Sequence, residues 1–248
     1  MDPWIAILLP LALVMSRVAA FLAVCPVFSA ASVPVVIRAG LMLLLTLFFG
    51  LFVPAAPLTG NWLSAVVLML REAAVGLALG LAARLVYTGV QQGGQIVAQQ
   101  MGMTDSDVID PVSGSGAYPI STLLEMLFAL LFLMSGGHRL LLGVISGSFR
   151  SLPVAGAVDL GAMAEGVVEA GSMMFLMGLK LAAPMLAGFL IVAVMLCILA
   201  RVLPEMNILM TSFPLRVAMG LFLAGAIMPS LQIFMNELAR WIQRSLIT

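Results

Sequence analysis

Charges stand inside stretches of this chain that otherwise have the composition of membrane spans. Arg17 interrupts the apolar run Trp4–Ala31, Arg71 and Glu72 stand side by side within Trp62–Ala83, Glu125 lies within Leu123–Met134, and Lys180 lies within Met173–Leu199. A charge at acyl-chain depth costs roughly 2.5–3.5 kcal/mol even on the lenient insertion scale. Three cations and two carboxylates so placed must be paired, hydrated or covered by protein, which predicts a packed assembly or a water-lined path. Composition agrees: 63% of the 248 residues are hydrophobic and 9% are charged, against about 25% charged in soluble domains. Mean hydropathy is +1.20, so the chain reads as an integral membrane protein with no soluble domain. A formal net charge of zero leaves no basic face for nucleic acid.

The spacing of breaks predicts an all-α, polytopic protein of about six kinked helices, each needing about 20 apolar residues to cross a bilayer. They are Trp4–Val24, Val35–Val53, Trp62–Thr88, Ser121–Ser135 with a continuation past Gly136 allowed, Gly171–Leu203 and Leu215–Trp241. Pro26 and Pro34 bracket the first turn, Pro54, Pro57 and Gly60 make the second, and Pro204 and Pro214 bracket the fifth. Met1-Asp2-Pro3 carries no basic region, so Ile5 onward reads as a retained helix. Gly89–Pro119 is rich in Gln, Gly, Ser and Asp, and Gly136–Ala170 mixes Gly, Pro153, Asp159, Glu165 and Glu169. These two stretches read as long connections, where function concentrates.

The arginine count does not orient such a bundle. One side would hold Arg139, Arg150, Arg240 and Arg244, the other Arg38, Arg84, Arg201 and Arg216, a tie under the positive-inside rule. A faint echo links Pro34 and Gly40 with Pro214 and Gly220. It reads either as a shared way of starting a helix or as duplicated architecture.

Gly76 and Gly80 form a GxxxG face that admits another backbone closely, and Glu72 lies one turn before them on the same face. Glu72 is then either part of a proton or ion relay or a buried acid paired with Arg71, Arg17 or Lys180. Pro184, four residues after Lys180, predicts a kinked helix with a freed carbonyl. Asp105, Asp107 and Asp110 have partly calcium-like spacing, but no Glu closes a twelve-residue loop. The single His138 lacks companions for zinc and reads as anchoring a helix bend. Ser115 in Gly-Ser-Gly resembles a nucleophile turn without a positioned base. Cys25 and Cys197 read as small core residues. No metal, cofactor or enzymatic activity is expected.

Further features run in order along the chain. They are Arg17 with Pro26-Val-Phe28 and Pro34; Glu72 with Gly76 and Gly80; Gly94 with Gln99-Gln100-Met101-Gly102 and Asp110-Pro111; Gly136-Gly137-His138; Ser148-Phe149 with Pro153; Pro184; and Pro204-Glu-Met-Asn207 with Phe213-Pro214 and Gly220. In that order and spacing the whole chain resembles the FliR family of the flagellar type III export gate. The resemblance implies a subunit built into a helical gate with FliP and FliQ, joined by FlhB and placed over FlhA, in the bacterial inner membrane at the flagellar basal body. Unfolded flagellar proteins would pass through it. It also implies a single membrane unit over 1–248, with FliP-like helices over 1–165 and a FliQ-like hairpin over 170–248, stacked into a cone that need not span lipid conventionally. The family's pore plug maps onto Met101–Tyr118. Its candidate gating residues are Met101, Gly102, Met103, Asp105, Asp107, Asp110, Pro111, Gly114, Gly116 and Tyr118. Asp105-Ser106-Asp107 departs from the apolar or small residues more usual there. Arg17, Arg71, Glu72, Glu125 and Lys180 would be buried pairing groups, with Gly76, Gly80, Pro184, Pro204 and Pro214 shaping the packing. An injectisome gate subunit is the near alternative; a small-solute or ion transporter using Glu72 and Lys180 is the rival from another class.

Overall fold

The computed structural model describes residues 3–26, 28, 33–52, 62–101, 126–127, 129–130, 132–134, 136–156, 158–203, 210, 212–223 and 225. The fold is all-α. The principal helices are α1 (Pro3–Val24), α2 (Val35–Phe52), α3 (Trp62–Gln100), α4 (Gly137–Ser151) and α5 (Leu160–Val202). Helical residues also occur within 126–134, and an apolar helix covers Ser212–Leu223. Among the described residues the helical stretches number seven rather than the six expected. Three are long and apolar enough to cross a membrane: Val35–Phe52, Trp62–Val97 and Gly161–Val202.

The differences have local causes. The sequence reading ends the third helix at Thr88, yet α3 continues to Gln100. Gly89 and Gly93 weaken a helix by about 1 kcal/mol each, but here their bare faces admit the backbone of α5. The stretch read as a second long connection is largely helical. Gly136 adopts φ 82°, a left-handed conformation that glycine takes without penalty. Its carbonyl then accepts from Arg139 N at 2.9 Å and Leu140 N at 3.3 Å, opening α4. Leu141, Val144, Ile145 and Ser148 make the buried stripe of that short helix. Helix α5 starts at Leu160 rather than Gly171 because Asp159 caps it: Oδ1 accepts from Gly161 N at 2.8 Å and Ala162 N at 3.4 Å. The acids Glu165 and Glu169, read as loop signals, lie on its exposed face. Pro184 sits inside α5 without ending it.

The chain divides into two compact units, and α3 and α5 each contribute to both. One unit comprises Met1–Tyr87, Gly136–Ser172 and Glu237–Thr248; the other comprises Thr88–Ser135 and Met173–Asn236. In the first, α1 and α3 pack in parallel through small residues. Ser16 Oγ donates to Met69 O at 2.8 Å, Gly76 meets the Arg17 backbone, and Gly80 meets Phe21 and Val24. Helix α2 returns against α1, with Gly50 over Leu11, and stacks Phe49 on Phe149 of α4 at 5.1 Å between ring centroids. Leu13, Val14, Val18, Phe21 and Cys25 of this unit are buried.

In the second unit, Gly89 lies on the Met174 backbone and Gly178 lies on Gly89 O, so α3 and α5 touch backbone to backbone. Its core gathers Val97, Met101, Met185 and Phe189, with Val217 and Leu223 packed against it. Gly220 faces the Met101 side chain so closely that a Cβ there would collide with it. Gly40, its counterpart in the sequence echo, has open space around it. The two positions therefore share a helix-start pattern without sharing an environment. Cys197, expected in the core, is exposed.

Candidate functional site: a buried charge hub

Among the described residues Arg17 of α1 is the largest fully buried side chain. Arg17 is 0% exposed and Glu72 2% exposed. Arg17 Nε donates to Glu72 Oε2 at 2.6 Å, and Nη2 stands 2.6 Å from the same oxygen as an ion-pair contact without hydrogen-bond geometry. Nη1 turns the other way, donating to Ser148 O at 3.1 Å, to Ser148 Oγ at 3.4 Å and to Leu152 O at 2.9 Å. The guanidinium also lies over the Phe149 ring, 4.6 Å from its centroid, a cation–π arrangement that strengthens on desolvation.

Glu72 Oε1 accepts from Ala155 N at 3.0 Å, and Arg71 Nη2 donates to Gly156 O at 2.6 Å. Side chains from α1 and α3 thus hold the backbone of the turn that follows α4. Each bond satisfies a carbonyl or amide that the end of a helix leaves unpaired, and each involves a charged partner, the stronger kind of hydrogen bond. Both Glu72 oxygens and two of the three Arg17 nitrogens are engaged in hydrogen bonds within the fold, while Nη2 lies buried with the ion-pair contact as its one interaction with Glu72.

Ala155 takes φ 61°, a left-handed conformation costing an L-residue roughly 1–2 kcal/mol. The turn is held there by Glu72 and by Gly156 N donating to Pro153 O at 2.9 Å. Ala155→Gly removes the Cβ penalty while loosening the unfolded chain. A net gain of about 0.5–1 kcal/mol is expected, readable as a small rise in the melting temperature of the purified protein. A fall would show that the Ala155 methyl contributes packing that outweighs the strain.

The structure brings together Arg17, Glu72 and, through the same turn, Arg71. Lys180, expected among the buried pairing groups, is exposed on α5; it sits on a face that the second unit does not cover. Gly76 and Gly80 pack α3 on α1, and Pro184 lies within α5. Pro214 lies within the helix Ser212–Leu223. Met101, expected at the start of a pore loop, is instead 1% exposed and fixed in the second unit's core. Its amide donates to Val97 O at 3.1 Å as the last bond of α3. Gly102, Met103, Asp105, Asp107, Asp110, Pro111, Gly114, Gly116, Tyr118, Glu125 and Pro204 lie outside the described residues. Sequence reasoning missed Ser148, Phe149 and the Leu152–Gly156 backbone as hub partners. Their signal was weak, a Ser-Phe and a Pro of no evident chemistry. Among the described residues no group of three or more His, Cys, Asp or Glu is placed to hold a metal ion.

A multi-helix apolar chain locked by an internal ion pair and two close-packed glycine faces is a polytopic membrane protein built for tight packing. Residues 8–241 match the family described as bacterial export proteins, family 1, and the chain belongs to that family. It is homologous to flagellar biosynthetic protein FliR of several bacteria. It is 30% identical to that of Escherichia coli K12 over 222 residues, covering 90% of this chain and 85% of the relative. It is 32% identical to that of Bacillus subtilis 168 over 212 residues, covering 84% and 82%, and 26% identical to that of Aquifex aeolicus VF5 over 222 residues, covering 89% and 86%.

Proposed function

We propose that this chain is the FliR-type subunit of a flagellar type III protein export gate in the bacterial cytoplasmic membrane, at the flagellar basal body. It assembles there with FliP and FliQ, next to FlhB and FlhA, and unfolded flagellar proteins pass through the assembly. The family match from residue 8 to residue 241 carries this reading. The apolar surface supports it: α2 buries only 17% of its span-length window within the chain, and Val36, Phe48, Leu51 and Phe52 stand exposed along it, leaving a broad face for lipid or neighbouring subunits. The hub supports a scaffold rather than a transporter. Both Glu72 oxygens are tied to the fold, by Arg17 Nε and by Ala155 N, as the oxygens of a structural carboxylate are.

A C-terminally tagged chain extracted from native membranes in mild detergent is expected to bring down two other small helical membrane proteins in a large fixed complex. Their identities decide between a flagellar and an injectisome gate. A monodisperse chain alone, with solute flux lost on changing Glu72 or Lys180, would instead establish the transporter reading. The resemblance implies a pore seal over Met101–Tyr118. Deleting Gly114–Gly116 is therefore expected to leave the complex intact and make cells leaky to small ions. Unchanged membrane conductance in that strain would remove the sealing role.

A further inference from the structure

We propose that a groove between α3, α4 and the start of α5 is the seat of the chain's own C-terminal segment, Glu237–Thr248, with Trp241 and its apolar neighbours turned inward. The groove has a volume of about 250 Å³ and is walled by Val75 and Leu79 of α3, Leu152 just after α4, and Met163, Gly166 and Val167 of α5. That exceeds the ~150 Å³ at which an apolar cavity in a protein already admits a benzene ring, so a large side chain has room. A Cβ built at Gly166 meets nothing within 4 Å, which leaves the α5 wall open to an incoming helix.

Chain register brings that segment to the groove. Helix α5 ends at Val202, and the helix Ser212–Leu223 follows after a short connection. Its far end, Leu223, meets Gly188, well back from the α5 terminus, so the two run antiparallel. Continued at helical pitch, as the apolar pattern over 215–241 predicts, Ser245 comes level with Gly166. Gly166 is 22 residues before Gly188, and Ser245 is 22 after Leu223. Pro229 is no obstacle, since Pro10 and Pro184 stand inside unbroken helices. The division of the fold agrees: the compact unit that holds the groove also takes in Glu237–Thr248. As a helix the segment puts Leu238, Trp241, Ile242 and Leu246 on one side, and Glu237, Arg240 and Arg244 on the other. The start of α5 offers charges complementary to the arginines, exposed Glu165 and Glu169, likewise four residues apart. Ser148 and Leu152 line the groove and also supply the carbonyls that hold Arg17, so a seated C-terminal segment shields the charge hub from water. The inference stands apart from the export-gate reading.

The test uses paired substitutions in the full chain, in native membranes, with Cys197→Ser removing the exposed native thiol. Gly166→Cys with Ser245→Cys, level and on the apolar side of the segment, should join on mild oxidation. Its yield should be about tenfold that of Gly166→Cys with Arg240→Cys, through the higher effective concentration of facing groups. Mass spectrometry of the linked peptides reads both. Gly166→Cys alone should react with a small maleimide about tenfold faster once Trp241→Ala empties the seat, the equivalent of 1.4 kcal/mol of protection. Ending the chain after Asn236 should raise the rate at least as far. Cys25, 0% exposed, should stay unreactive in both; where the shortened chain unfolds, the cross-link alone decides. Equal linkage of the two pairs overturns the inference, and a link found only between differently tagged copies overturns it in favour of a second copy as occupant. Protection of Gly166→Cys that survives removal of Glu237–Thr248 overturns it in favour of lipid or a partner subunit.

Discussion

Glu72→Ala should all but eliminate the chain from membranes as an assembled component. The substitution removes the carboxylate that Arg17 faces at 2.6 Å while leaving the guanidinium at 0% exposure. Breaking a buried pair on one side typically costs about 3–5 kcal/mol, because the remaining charge is uncompensated. Here Ala155 N also loses its acceptor, and an unmade buried hydrogen bond adds about 1–3 kcal/mol. Either term is a large part of the 5–15 kcal/mol that holds an ordinary domain together. Glu72→Gln keeps an acceptor for both donors and removes the charge alone, so it should fall between parent and Glu72→Ala. The check is the amount of tagged chain recovered with its partners, followed by the melting temperature of what is recovered. Full recovery of Glu72→Ala would mean that Arg17 finds another anion or water, and the hub would lose its structural role. Arg17→Met combined with Glu72→Leu should recover part of the loss by removing both charges. Recovery stays partial because Leu152 O and Ala155 N remain without partners.

The sequence made the membrane class and the outer boundaries legible because those depend on near neighbours. Pro34 before an apolar run starts α2, and its carbonyl accepts from Ile37 N at 3.0 Å and Arg38 N at 3.2 Å. Trp62 opens α3 after a Pro- and Gly-bearing turn sequence. What local pattern could not decide was the partner of Glu72 among Arg17, Arg71 and Lys180. Arg71 is adjacent in sequence, but consecutive helical residues point in different directions, and it reaches Gly156 O instead. Arg17 wins because Gly76 and Gly80 draw α1 onto the face that Glu72 shares. Its remaining partners, Ser148 and Leu152, come more than 130 residues later, and no periodicity announces a contact of that range.

The misread connections fail for the opposite reason. Gln91–Gln100 looks like loop because Gly and Gln are poor markers of an apolar helix. In the structure that composition is a packing device: Gly89, Gly93 and Gly178 let α3 and α5 meet through backbone, and Met101 ends the helix inside a core. Asp159, read with Glu165 and Glu169 as part of a connection, is a helix cap in the structure. Tertiary contact overrode local preference at each of these places.

Gly76→Ala should damage the protein more than a single methyl ordinarily does, and a comparison within the chain isolates the cause. A Cβ at Gly76 would fall on the Arg17 carbonyl oxygen and within 3.1 Å of Ala20 Cβ. The obstacle is backbone, which cannot rotate aside, so α1 must move from α3. Overpacking of this kind costs about 1–3 kcal/mol and sometimes more. Any displacement also lengthens the Arg17–Glu72 contact one turn away, so the methyl acts on the hub as well as on the helix pair. Gly80→Ala, whose nearest obstacle is Phe21 O at 2.9 Å, should be milder. Gly40→Ala, with nothing within 4 Å, should be neutral or stabilise by about 0.5–1 kcal/mol through helix propensity alone. Melting temperatures of the three purified variants should therefore rank Gly40→Ala above Gly80→Ala above Gly76→Ala. Combining Gly76→Ala with Glu72→Ala should cost less than the sum of the two, since both act on one contact. Strict additivity would show that the glycine face and the charge pair are independent, and that the hub is placed by something other than the approach of α1.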